Sequence, residues 1–350
     1  MNLKLIGAKK WGLLSVLILV LIITYALYFP VVFKKDGVVY YLKKGLSNKA
    51  FIEDLKHLGL LPLPSVFRLY TYTQRNAQLK TGEYFFAKGS SPIKIWRQVT
   101  RGKGLHYRSF TIVPGWSFQQ LRQAISQTLG LYPTSAHLSD KQLMHRLGYP
   151  QLNPEGVFFP DTYRYTYGVS DLIILKQAID LMQSKLNKAW QNRAAKLPYQ
   201  SPYQALIAAS IVEKEAYLDK ERPLIASVLI NRLRKDMLLQ FDPTVIYGLG
   251  KQYEGKIYKI DLQADTPYNT YLHKGLPPTP IAMPSLASIE AALHPEKTTF
   301  LYFVARGDGG HRFSTSLPEH KVAVASSTYQ TDFFNFHLIK KYLNTYFRTH

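Results

Sequence analysis

The first apolar block of the chain is continuous rather than periodic. From Trp11 to Phe33 it reads WGLLSVLILVLIITYALYFPVVF, and only Ser15 and Thr24 are polar. As a helix, such a run is long enough to cross the ~30 Å apolar core of a bilayer. Trp11, Tyr25, Tyr28 and Phe29 place aromatic rings toward its ends, as a membrane interface favours. A cleaved signal peptide would carry a shorter apolar stretch ending in a small-x-small site, whereas this one continues through bulky YALYFPVVF. The expectation is an uncleaved single-pass anchor over 11–33, with residues 1–10 on the cytoplasmic side. Lys4, Lys9 and Lys10 precede the run, but Lys34 and Lys35 follow it, so charge alone does not set the topology.

Beyond residue 36 the pattern becomes amphipathic. VVYYL is β-branched and aromatic and reads as a strand. Gly45 turns the chain, Ser47 can cap, and Phe51, Leu55 and Leu58 mark one helical face. GEYFFAKGSSPIKIWRQVTRG follows the same plan, with Pro92 at a first helical position. RSFTIVPGWSFQQLRQAISQTLGL follows it again, Gly115 and Ser117 standing at the same offset as Gly45 and Ser47. A small strand–helix unit used more than once explains this, and so does the ordinary grammar of any strand–turn–helix.

Helices and loops alternate in the second half. SDLIILKQAIDLMQSKLNKAW predicts an amphipathic helix capped by Ser170, with Ile174, Ala178, Leu181 and Leu186 on its buried face. Another helix starts near Ser201-Pro202, and ERPLIASVLINRLRKDM follows it at once. The remainder is dense in turn residues, and long irregular segments in a folded domain often carry function. GLG and GDGGH are isolated turns, not phosphate loops.

Composition narrows the classes. With 46% hydrophobic and 19% charged residues, the 350-residue chain is an ordinary folded protein of about two domains. It has no cysteine, which excludes disulfides, thiolate zinc sites and a cysteine nucleophile. Net charge is +21 with a pI near 9.8. The basic residues are scattered rather than gathered into an arm or stripe, and no nucleic-acid-binding motif accompanies them. An anionic polymer or lipid surface fits that charge, and nucleic acid is not expected as a partner. His294, His311 and His320 lack metal-ligand spacing, so neither metal nor cofactor is expected.

IVEKEA, residues 211–216, holds the candidate chemistry. On a helix at about 100° per residue, Gln204, Ile207, Ala208, Ile211 and Glu215 share one narrow face. Glu213 lies nearly opposite, with Leu206, Ala209 and Tyr217, so the two carboxylates cannot act as a pair. Glu215 sits one turn below Ile211 on the more continuous apolar stripe. Desolvation there would raise its pKa and let it hold a proton near neutrality for donation as a general acid. The competing reading is a charged residue at the wet end of a buried helix.

Five stretches in order, EGVFFPDTYRY, ASIVEKEA, VLINRLRKDMLLQFDPTVIYGLG, TPYNTYLHKGLPPTPIAMPS and LHPEKTTFLYFVARGDGGHRFSTSLPEH, resemble the endolytic murein transglycosylase (YceG-like) family over roughly residues 36–340. The resemblance implies an α+β protein with a small LysM-like strand–helix subdomain over 36–105 and a mixed α+β catalytic domain over 106–350. It further implies a bacterial inner-membrane protein with its bulk in the periplasm. That protein would cleave peptidoglycan strands internally, between N-acetylmuramic acid and N-acetylglucosamine, beside the peptidoglycan synthases. The family's catalytic glutamate falls on Glu215. Ala216 departs from the threonine that often follows it, and this does not threaten the chemistry.

Around that glutamate, Gln240, Asp242, Thr244, Tyr247, Tyr268, Asn269, Tyr271 and His311 are the candidate substrate contacts. Flat aromatic faces suit sugar rings, while the amide and hydroxyl groups offer hydrogen bonds. Glu213 and Asp161 are the supporting candidates. Asp242 and Asp161 lie beside prolines, where turn formation explains them equally well. A glycan-binding scaffold without catalysis is the alternative of a different class, and intact Glu215 argues against it.

Overall fold

The computed structural model describes residues 3–74 and 76–326. The expected domain end at 327–350 and the first two residues therefore lie outside the described residues. The chain divides into two compact units. One comprises Met1–Ser109 with Leu129–Tyr132 and Arg164–Val169, and the other takes the rest.

The first unit begins with α1 (Leu3–Tyr28), whose most apolar window is Trp11–Tyr28, with a mean hydropathy of 2.3. This one apolar helix could span a membrane by length and composition. The helix stops before Pro30, five residues short of the expected Phe33 boundary, because a proline disfavours helical geometry in the residue preceding it. Val31 and Val32 then leave the apolar run and become core residues, and both backbone N–H groups donate to the Ser90 carbonyl.

After this come β1 (Val38–Leu42), α2 (Asn48–His57), α3 (Pro64–Thr73), β2 (Gly82–Phe86), α4 (Pro92–Arg101) and β3 (Tyr107–Thr111). β1 and β2 pair antiparallel with Tyr40 opposite Tyr84. Their inner faces join Phe51, Leu55, Phe67, Ile95 and Trp96 in a core that also receives Leu27 of α1. Phe67 and Trp96 meet edge-on, ring centroids 6.1 Å apart. Each such side chain contributes about 1.5–3 kcal/mol through burial.

The next elements are α5 (Phe118–Ser126), β4 (Leu131–Tyr132), α6 (Asp140–Arg146), β5 (Thr162–Thr166) and β6 (Val169–Ser170). β3 pairs with β5 and β4 with β6, so every sheet among the described residues is two-stranded. The strand–glycine–serine–helix grammar holds locally at both places. Gly45 and Gly115 adopt φ of 78° and 80°, and Ser47 and Ser117 accept hydrogen bonds from the N–H groups of Ala50 and Gln120.

The second unit is built around α8 (Pro202–Glu215). Against it pack α7 (Asp171–Gln191), α9 (Arg222–Arg234), α10 (Asp242–Leu249) and α11 (Leu286–Leu293). Ser170 and Ser201 cap α7 and α8 through their hydroxyls. On α7, Ile174, Ala178 and Leu186 are buried, but Met182 takes the interior place expected for Leu181, which is only half-buried. An antiparallel hairpin of β7 (Tyr302–Ala305) and β8 (His311–Ser314) packs against α9 and against α12 (Leu317–Ser326).

α8 departs from the one-sided burial read from its sequence. Every residue from Ala205 to Glu213 is buried, because helices enclose it on several sides. The helix ends at Glu215, and Ala216 is extended, so Tyr217 is not on the helical face assigned to it.

Candidate active site

The end of α8 places three charged residues in succession and gives each a different environment. Glu213 is the most deeply buried, its side chain only 2% exposed. Its Oε2 accepts hydrogen bonds from the Ser285 N–H, the Ser285 hydroxyl and the Ser288 hydroxyl, at 2.9, 2.5 and 2.7 Å. Ser285 is the N-cap of α11, so the carboxylate sits at the positive end of that helix. Arg222 Nη2 approaches its other oxygen at 3.7 Å. Glu213 is thus no solvated charge but a clamp between α8, α9 and α11.

Lys214 is half-buried, and its Nζ reaches the Gly115 carbonyl at 3.4 Å. Burial lowers its pKa, against the charges of Glu213, Glu155 and Glu215.

Glu215 keeps some accessible surface. Even so, protein atoms crowd its carboxyl, and this desolvation pushes the pKa up to about 8. The charge of Asp242 adds to the rise and Lys214 opposes it. Glu215 is also the last residue of α8, where the helix dipole disfavours a negative charge. A carboxyl group in this state carries its proton at neutral pH.

Asp242 opens α10 and is exposed, with Oδ1 accepting the Tyr271 hydroxyl at 2.5 Å. Burial, then the charge and hydrogen bond of Asp242, then Glu215, raise the Tyr271 pKa. Glu215, Asp242 and Tyr271 therefore form one electrostatic group. A second group gathers Tyr247 and Tyr268, whose rings meet edge-on at 4.7 Å, with Tyr247 donating to Glu155 Oε2 at 3.0 Å. The Tyr268 hydroxyl pairs with Thr279 Oγ1 at 2.9 Å.

The other expected contacts occupy different places. Gln240 is exposed at a left-handed φ of 55°, with its Oε1 taking Arg232 Nη1 at 3.0 Å. That conformation costs a non-glycine residue about 1–3 kcal/mol and is over-determined here by the Gln240 N–H bond to the Thr270 carbonyl. Thr244 and Asn269 are both 0% exposed. Thr244 bonds the Phe241 carbonyl and Thr270, and Asn269 Nδ2 holds the Leu262 and Ala264 carbonyls. Both shape the loops rather than face solvent. His311 is buried and hydrogen-bonded through Nδ1 to Glu221 at 2.8 Å, so it lies in the interior rather than among exposed substrate contacts. Asp161 is exposed and accepts the N–H of its neighbour Thr162 at 2.7 Å, the turn role its proline neighbour allows.

Sequence reasoning passed over Glu155, Lys214 and Arg232. Glu155 stands in one of the quoted motifs, directly before a glycine, and that placement was the available signal. Gly156 has φ of 75°, and a Cβ there would meet Pro280 Cβ at 2.3 Å, so the backbone carrying Glu155 is pressed against the 280–282 segment.

Fold and site define an α+β protein in which desolvated carboxyl groups face tyrosines along the ends of α8 and α10. The chain belongs to the YceG-like family, whose model matches residues 40–326. It is 32% identical over 303 residues to a Bacillus subtilis protein named endolytic murein transglycosylase, covering 81% of this chain and 82% of that relative. A Streptococcus pneumoniae protein of the same name is 27% identical over 308 residues, which span 76% of this chain but 54% of the relative. The crystal structure of a yceG-like protein from Listeria monocytogenes is similar with a TM-score of 0.54 and 30% identity, over 83% of this chain and 100% of the other.

Proposed function

We propose that this chain is an endolytic murein transglycosylase, a lyase that cleaves peptidoglycan strands internally and leaves 1,6-anhydro-N-acetylmuramic acid ends. The names of its relatives support the enzyme class. The observation that carries the mechanism is the desolvated carboxyl of Glu215 at the end of α8, coupled to Asp242.

Glu215 donates its proton to the glycosidic oxygen between N-acetylmuramic acid and N-acetylglucosamine as the C1–O4 bond breaks. The resulting carboxylate accepts the proton of the muramyl C6 hydroxyl as O6 closes on C1. One proton leaves and one returns, so a single carboxyl group serves as acid and then as base. Asp242, electrostatically coupled to Glu215, favours the positive charge that develops at C1. Tyr271 and Gln240 supply hydrogen bonds, and Tyr247 with Tyr268 supplies aromatic surface for a sugar ring. Glu213 holds the helix end in place.

The apolar helix anchors the chain in the inner membrane, with the remainder in the periplasm beside peptidoglycan synthases. The first unit carries the LysM-like subdomain. Its charge of +21 over the whole chain suits an anionic polymer and an anionic membrane surface.

Asp242 also permits a second reading, a two-carboxylate hydrolase, because a second acid is coupled to Glu215. Digesting sacculi with the purified protein separates the two. Anhydro ends support the transglycosylase, reducing ends support the hydrolase, and intact sacculi would sink both. A sharper test is Asp242→Asn. Removing that charge lowers the Glu215 pKa, so the alkaline fall of kcat/KM is expected to begin at lower pH than in the wild type. An unmoved or upward-shifted limb would contradict the coupling.

A further inference from the structure

Glu155 has the setting of a functional group that the reaction above leaves unused. It is 5% exposed, and its oxygens accept the Phe118 N–H at 2.9 and 3.1 Å. Phe118 opens α5, where Ser117 and Gln120 already form a capping box that satisfies two free donors. That box leaves the Phe118 N–H free, and Glu155 satisfies it. Its second partner is the Tyr247 hydroxyl on α10.

Two parts of the site thus meet at one side chain. On one side is the turn before α5, whose Gly115 N–H donates to the Met283 carbonyl at 2.8 Å and whose Gly115 carbonyl receives Lys214. On the other is the edge-on pair of Tyr247 and Tyr268. The geometry points to Glu155 as a positioning residue of the cleavage site. By holding the Tyr247 hydroxyl and the α5 turn together, it fixes the Tyr247–Tyr268 corner as a platform for one sugar ring of the bound glycan. This rests on the murein transglycosylase reading.

The carboxyl is poised to report its own role. Burial pushes its pKa up to about 7, against hydrogen bonds from Tyr247, Phe118 and Gly156. The titratable groups facing it are Tyr247 on α10, Tyr203 and Lys214 on α8, and Asp140 on α6. Protonation below pH 7 removes the charge that holds the Tyr247 hydroxyl, so an acid limb of kcat/KM is expected near that value.

The test uses the full chain in detergent, soluble uncrosslinked glycan strands, and the variants Glu155→Gln, Tyr247→Phe and the double variant. Losing the charge-assisted bond is expected to raise KM about tenfold in each single variant, with kcat within about twofold. The double variant should lose no more than about twofold beyond the worse single, because both changes remove one interaction. The acid limb near pH 7 should vanish in Glu155→Gln. Wild-type KM in Glu155→Gln, a multiplicative double variant, or an acid limb that persists would each overturn the assignment. If Glu155→Gln does not fold, Tyr247→Phe decides: a tenfold KM rise supports it and an unchanged KM refutes it. Activity surviving in Glu215→Gln would instead remove the underlying reading, whatever Glu155 does.

Discussion

Replacing Glu215 with glutamine is expected to lower kcat about 10³-fold while leaving glycan binding within about twofold. The amide preserves the size of the side chain and its half-buried place at the end of α8, but it has no proton to give at any pH. General acid–base groups typically contribute about 10²–10⁴-fold, and here one group is asked to do both steps. A wild-type pH profile belongs to the same prediction. With a pKa of about 8, Glu215 is mostly protonated at pH 7, and kcat/KM should fall about tenfold per pH unit above 8. Single-turnover measurement of anhydro-end formation would check both, and activity above a tenth of wild type in Glu215→Gln would sink the assignment.

The same substitution has a stability signature of known sign. Glu215 holds its proton in the fold up to about pH 8, whereas the unfolded chain releases it near the ordinary glutamate value of 4.5. The stabilisation from this protonated carboxyl is complete below pH 4.5 and declines as pH rises, until it is lost above 8. Glutamine cannot ionise, so the variant escapes the decline. Above pH 8.5 it is expected to be more stable than the wild type by about 5 kcal/mol, and near pH 4 to match it. Chemical unfolding at the two pH values measures the difference.

Glu213→Ala should produce the largest loss of stability. The change strips one carboxylate from three donors at the α11 N-terminus and removes a partner of Arg222. Arg222 keeps Asp219 at 3.2 Å, so the loss falls short of orphaning a buried cation. Hydrogen bonds to buried charges contribute about 1.5–3 kcal/mol each, and breaking a buried ion pair costs about 3–5 kcal/mol. The expected destabilisation is about 3 kcal/mol, or roughly 6–12 °C in Tm for a unit of this size. Glu213→Gln, which retains an acceptor for Ser285, should lose less than half as much. Unchanged melting of Glu213→Ala would show that the clamp carries no weight.

These two glutamates mark what a linear reading can reach. An apolar run long enough to span a membrane, the capping serines 47, 117 and 170, and the helix bearing IVEKEA were all legible, because they depend on local rules of period, propensity and capping. The family motifs, likewise local in sequence, singled out Glu215. What helical periodicity could not tell was how α8 is surrounded. A face computed at 100° per residue assumes one wet side, and α8 has none between Ala205 and Glu213.

The roles of Thr244, Asn269 and His311 were hidden for the same reason. A polar residue in a loop motif looks available until its partners are known, and Thr270, the Leu262 carbonyl and Glu221 are those partners. Glu155 shows the converse. Phe118 lies 37 residues away and Tyr247 lies 92, so the glycine beside Glu155 marks the position but not its partners. Order along the chain thus settled which helices form and which family the chain joins. The raised pKa of Glu215, the burial of Glu213 and the meeting of Glu155 with Tyr247 came from packing, because desolvation and charge coupling depend on neighbours that only folding brings together.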